Sequence, residues 1–97
     1  MPKAVISKLS PADVEQQLKA RSEWVATGEA IQRTFEFKDF IQALAFVNKV
    51  AEAAEKINHH PDILIRYSKV TMTLSTHDAG GITKKDFDLA GKMDAMA

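Results

Sequence analysis

The stretch KDFIQALAFVNKVAEAAEKINHHPD, residues 38–62, decides how the chain folds. Between Lys38 and Ile57, Phe40, Leu44, Val47, Ala51 and Ala54 recur at alternating spacings of four and three, which marks one helical face. A second row, Phe46, Val50, Ala53 and Ile57, runs beside it. Together the rows are wider than the stripe that one sheet face covers. The spacing therefore predicts a helix of roughly five turns that packs on a sheet with one row and on a partner subunit with the other. Its alanine-rich second half would let another helix come close. Pro61 pushes His60 out of the helical region, so the helix must end near Asn58.

Outward from this helix, the periodicity changes to two. Glu23–Ala26 and Ala30–Phe37 read as strands around a turn at Thr27-Gly28-Glu29, with Ile31, Phe35 and Phe37 alternating against Gln32, Thr34 and Glu36. Downstream, Ile63–Tyr67 and Val70–Thr76 read as two more, with Val70, Met72 and Leu74 alternating against Thr71, Thr73 and Ser75. Helices close both ends. Ser10 caps the first, Pro11 fits its first position, Asp13 stands where a capping box needs it, and Leu9 and Val14 are spaced as a staple. That helix offers only Val14 and Leu18 for burial. After a loop at Asp78-Ala79-Gly80-Gly81, Thr83 caps the last helix, with Asp86 at the capping-box position and Ile82 and Phe87 as its staple. The expected architecture is α+β: a four-stranded antiparallel sheet with three helices on one face, in the order α-β-β-α-β-β-α. A chain of 97 residues fits one domain spanning residues 1–97.

Composition narrows the function. Lys plus Arg and Asp plus Glu balance at 13 each, which gives no net field for nucleic acid or an anionic membrane. The absence of cysteine removes disulfides, thiol catalysis and thiolate metal sites. Met1-Pro2-Lys3-Ala4-Val5-Ile6-Ser7 lacks the apolar run of a secretory signal, and no stretch is long enough to span a bilayer. A soluble cytoplasmic protein is expected.

All three histidines fall at the ends of elements, where function concentrates. His59 and His60 follow the long helix and His77 ends the last strand, so both ends could converge on one cleft. A solvent-exposed pair without a role remains open. Metal binding is disfavoured, because neighbouring side chains in an extended segment point apart and no H-x3-H spacing appears. General acid–base chemistry suits the set better, since imidazole can donate or accept a proton near neutral pH. Two neighbours pointing apart could serve opposite sides of a flat substrate.

Glu55-x3-His59-His60-Pro61, then Tyr67, His77 and Asp86, has the order and spacing of the pterin-4a-carbinolamine dehydratase family, which this chain resembles. Phe37-Lys38-Asp39-Phe40, Ser75-Thr76-His77-Asp78 and Gly81-Ile82-Thr83 match it as well, and the likeness runs from about Trp24 to Ala90. The resemblance implies a dehydratase that converts 4a-hydroxytetrahydropterin to quinonoid dihydropterin without a cofactor or metal. It implies catalysis by His59, His60 and His77 and substrate contacts from Asn58-His59-His60 and Ser75-Thr76-His77-Asp78. Glu55 could orient a histidine or bind the pterin, or belong to a solvated helix face with Glu52 and Lys56. Asp86 fits a structural cap better than direct catalysis, and Tyr67 and Trp24 are expected in packing, with a ring stacked on the pterin as the alternative. The resemblance also implies a homodimer or homotetramer. Animal members bind a transcription factor through the long helix, so a protein-interaction role without direct nucleic-acid or membrane contact is the alternative.

Overall fold

A computed structural model describes residues 7–97. Residues 1–6, on which the expectation about a secretory signal rests, lie outside the described residues. Helix α1 spans Pro11–Ala20, strands β1 and β2 Val25–Thr27 and Ala30–Glu36, and helix α2 Phe40–Ile57. Strands β3 and β4 follow at Asp62–Arg66 and Lys69–Leu74, and helix α3 at Lys84–Met96 closes the chain. The strands form one antiparallel sheet in the order β1-β2-β4-β3. The α-β-β-α-β-β-α order read from the sequence is the observed one, with a short 3-10 turn, His77–Ala79, inserted before α3. Among the described residues no helix is long and apolar enough to cross a membrane.

The register explains the core. Ile31 pairs with Leu74, Phe35 with Val70, and Met72 sits between them, so one face of β2 and β4 is a continuous apolar surface. Ala43, Phe46, Val50 and Ala54 of α2 are buried with it, as are Phe87, Leu89, Ala90 and Met93 of α3 and Val14 of α1. Phe35, Phe46 and Phe37 stack in series, with centroids 4.7 and 5.0 Å apart. On the other sheet face Thr34 and Thr71 meet hydroxyl to hydroxyl at 2.8 Å.

Several boundaries move by a residue or two, each for a local reason. Helix α2 starts at Phe40 because the Asp39 side chain accepts from Gln42 N–H, which makes Asp39 the cap. Strand β1 starts at Val25: the Trp24 N–H is already bonded to Arg21 O, and the indole turns into the core. Strand β4 ends at Leu74, after which Thr76 and Gly81 form an isolated bridge that closes the following loop. Tyr67 is not a packing residue. It sits in the β3–β4 turn with φ of 56° and is 71% exposed.

Asp94 ties the far end of α3 to the sheet. Its carboxylate accepts from Trp24 Nε1 at 2.9 Å, Arg33 at 2.7 Å and Arg21 at 3.4 Å. Arg33 in turn lies 4.2 Å over the Phe35 ring. Arg21 lies close against α3 at Gly91, where an added Cβ would come within 2.6 Å of its guanidinium. Asp94→Ala strands the buried indole N–H and removes two charge-assisted bonds, so a loss of about 2–3 kcal/mol is expected in urea denaturation. A loss under about 0.5 kcal/mol, the level of an ordinary surface change, would show that this carboxylate is not a staple.

Candidate active site

The last turn of α2 delivers the histidine pair. Asn58 ends the helix in the left-handed region, with φ of 51° and ψ of 45°, and its N–H bonds back to Ala54 O and Glu55 O. This conformation swings the chain across the helix end, and His59 N–H also bonds Ala54 O at 3.0 Å. Pro61 then holds the segment extended into β3. The result separates the neighbours. His59 is buried, whereas His60 is exposed.

His59 Nε2 meets Asp86 Oδ1 at 2.5 Å. Asp86 is 0% exposed and sits at the third position of α3. Its other oxygen accepts from Thr83 N–H at 2.9 Å and from Thr76 Oγ1 at 3.0 Å. One carboxylate therefore closes the capping box of α3, receives the end of β4 and holds the histidine loop. A negative charge in the first turn of a helix is also favoured by the helix dipole. No buried side-chain nitrogen or oxygen among the described residues lacks a partner.

The remaining candidates surround this core. His60 Nε2 pairs with the Glu55 carboxylate across the α2 terminus, and both side chains are largely exposed. Glu55 thus meets His60, five residues on, and not His59. His77 opens the 3-10 turn directly after Thr76 and is exposed, as is Asp78 beside it. The Ser75 hydroxyl donates to Glu29 O at 2.7 Å, which fastens β4 to the β1–β2 turn. The Thr76 hydroxyl is buried between Thr83 and Asp86. Among the described residues no three His, Cys, Asp or Glu side chains converge as a metal site.

Thr83 was expected only as a helix cap. Its hydroxyl also contacts Thr76 Oγ1 at 2.8 Å, a pairing that the local capping pattern does not announce. Two surface grooves lie elsewhere. One of about 420 Å³ is lined by Leu9, Val14, Leu18 and Ile82, and one of about 720 Å³ by Arg21, Ile57, Lys84 and Lys92. Neither has a histidine in its wall.

Comparison with known proteins decides the family. Residues 7–96 match the family model described as pterin 4 alpha carbinolamine dehydratase. The chain belongs to the pterin-4-alpha-carbinolamine dehydratase family. A protein of Picosynechococcus sp. named "Putative pterin-4-alpha-carbinolamine dehydratase" is 52% identical over 90 residues, covering 93% of this chain and 98% of its own. One of the same name from Acidobacterium capsulatum is 50% identical over 91 residues, covering 94% and 99%. A solved structure described as a transcriptional coactivator/pterin dehydratase from Brucella melitensis superposes with a TM-score of 0.91 at 39% identity. That likeness covers 94% of this chain and 99% of the other. A pterin dehydratase-like protein described as a RuBisCO assembly factor in the alpha-carboxysome superposes with a TM-score of 0.67 at 26% identity, over 77% and 89%.

The left-handed Asn58 makes a clean separation between backbone and side-chain roles possible. Asn58→Gly should keep the melting temperature within a few degrees, because glycine accepts this conformation freely. Asn58→Ala should lose about 1 kcal/mol. Calorimetry of both variants checks the pair; equal stability would mean that the helix end relaxes out of the left-handed region.

Proposed function

We propose that this protein is a cytoplasmic dehydratase that removes water from 4a-hydroxytetrahydropterin to give quinonoid dihydropterin, as a step in tetrahydropterin recycling. The buried His59–Asp86 hydrogen bond carries this reading: it is an oriented imidazole on a carboxylate, with exposed His60 next to His59 in the sequence and exposed His77 next to Thr76, which donates to the same carboxylate. The reaction needs one acid and one base. Hydroxide leaves C4a poorly until a proton reaches its oxygen, and the proton on the adjacent ring nitrogen must go to a base. His59, His60 and His77 supply both roles without a metal or cofactor. Asn58, Ser75, Thr76 and Asp78 contact the substrate beside the three histidines. Glu55 orients His60, and Asp86 orients His59.

Self-association accompanies this chemistry as a homodimer or homotetramer. Ile41 is 72% exposed and Phe40 is exposed beside it on the first turn of α2. Leu64 stands exposed on β3, a strand at the sheet edge with one side unpaired among the described residues. Light scattering at micromolar concentration should give a mass above the 10.7 kDa of one chain. Ile41→Lys should lower that mass, and a monomer before substitution would remove the proposal.

The interaction reading stays alive because two structural relatives are described as a coactivator and an assembly factor. Turnover of chemically generated 4a-hydroxypterin, with and without chelator, separates the readings. Chelator-resistant turnover supports the dehydratase, chelator-sensitive turnover a metal enzyme, and no turnover an interaction module. His59→Ala and His60→Ala should each slow the reaction by about 10²–10⁴-fold with the circular dichroism unchanged. Near-normal rates in either would sink the assignment.

A further inference from the structure

The hydrogens of the buried network can be placed one at a time. Asp86, as a carboxylate, only accepts. Its Oδ2 takes the Thr83 N–H at 2.9 Å and the Thr76 hydroxyl hydrogen at 3.0 Å. With its one hydrogen directed there, Thr76 Oγ1 must accept in its 2.8 Å contact with Thr83 Oγ1. Thr83 Oγ1 therefore donates to Thr76, and it accepts from Lys85 N–H at 3.2 Å. Reversing the two hydroxyls would set lone pairs of Thr76 and Asp86 face to face in a dry site, which burial makes costly. The chain of hydrogens runs one way, from the first turn of α3 to the carboxylate. Asp86 Oδ1 is left facing His59 Nε2 at 2.5 Å, and only a hydrogen on that nitrogen satisfies the contact.

We propose that Thr83, acting through Thr76 and Asp86, is a positioning residue that holds neutral His59 in its Nε2–H tautomer, so that Nδ1 is the proton acceptor of the site. This assignment rests on the dehydratase reading. As the C4a–O bond breaks, its electron pair leaves on oxygen. The ring nitrogen gives its proton to His59 Nδ1, and the freed N–H pair closes the C4a=N double bond. A proton from His60 or His77 completes the departing water. The imidazolium formed at His59 is held by Asp86, as the carboxylate of a catalytic triad holds its histidine. Thr83 touches no substrate in this scheme. Its contribution is to fix where the hydrogens of three other residues lie.

A merely structural Thr83 would cap α3 and do nothing else, so the test must read the histidine itself. Nitrogen-15 spectra of histidine-labelled protein, taken at a pH where the ring is neutral, report which nitrogen carries the hydrogen. In the unaltered protein His59 should be protonated at Nε2 alone. Thr83→Val should introduce a second tautomer and lower kcat/KM by about ten- to a hundredfold, the usual reach of a residue behind a catalytic group. Thr83→Ser, which keeps the hydroxyl, should restore both. Thr76→Val, which leaves the α3 cap in place, should reproduce the spectral change even if Thr83→Val folds poorly. A His59 protonated at Nδ1 in the unaltered protein overturns the proposal. An unchanged spectrum and rate in a folded Thr83→Val also overturns it, whatever happens to its melting temperature. Full turnover in His59→Ala instead overturns the catalytic reading of His59, and the acceptor role falls with it. A single Nε2 tautomer beside that result would show that the network holds the ring without serving the reaction.

Discussion

A carboxylate with no exposure to solvent stands at the meeting point of three segments, and their placement depends on keeping it satisfied. Asp86 brings a full negative charge into the interior, where an unpaired ion is severely penalised. Three donors offset that penalty: an amide at the start of α3, a hydroxyl at the end of β4, and an imidazole from the loop after α2. None of these can leave without exposing the others to the same penalty. The end of the long helix, the end of the central strand and the start of the last helix are consequently fixed relative to one another. That is the geometry a proton-transfer site needs, because a displaced histidine loses its reach to a reacting atom.

The separation of the two neighbouring histidines has an equally local origin. A helix that ran on through Asn58 would carry His59 and His60 around its axis by its own periodicity. The left-handed Asn58 and the following proline replace that rotation with an extended segment, in which successive side chains face opposite ways. His59 turns in to Asp86 and His60 turns out to Glu55. At the other end of α3, Asp94 gathers Trp24, Arg33 and Arg21. The helix is thus pinned by a carboxylate near each terminus, one facing the histidine loop and one facing the sheet. Between them, Phe87, Leu89, Ala90 and Met93 supply the buried apolar face.

Periodicity carried most of the fold from the sequence. The alternation of Val70, Met72 and Leu74 and the caps at Ser10 and Thr83 are local patterns, and local patterns survive into the structure. The two rows on α2 were legible only as a wide face. Phe46, Val50 and Ala54 are buried, yet Ala54 belonged to the other row, and Ala43 belonged to neither. A helix axis is set by where the sheet and α3 allow it to lie, and the spacing of apolar residues does not encode that rotation. The Asp94 cluster was not legible at all. Its bonds join residues up to 73 positions apart, and an aspartate near the end of an amphipathic helix looks like any solvated charge. Glu55 was readable as a partner for a histidine, but not for which one, because the choice follows from the left-handed turn at Asn58.

The structural reading of Asp86 and the role proposed for it need not compete. Its position three residues after Thr83 marks it as a capping-box member, and the structure contains that box in full. A cap, however, occupies one carboxylate oxygen and leaves the second free to accept. In a 97-residue chain the core has little margin, and few places are both dry and rigid enough to fix an imidazole. A helix start that already buries a carboxylate is one of them. Hanging the histidine on the unused oxygen gives it a rigid anchor that folding has assembled in any case, so the stability of α3 and the orientation of His59 become one property of the same side chain.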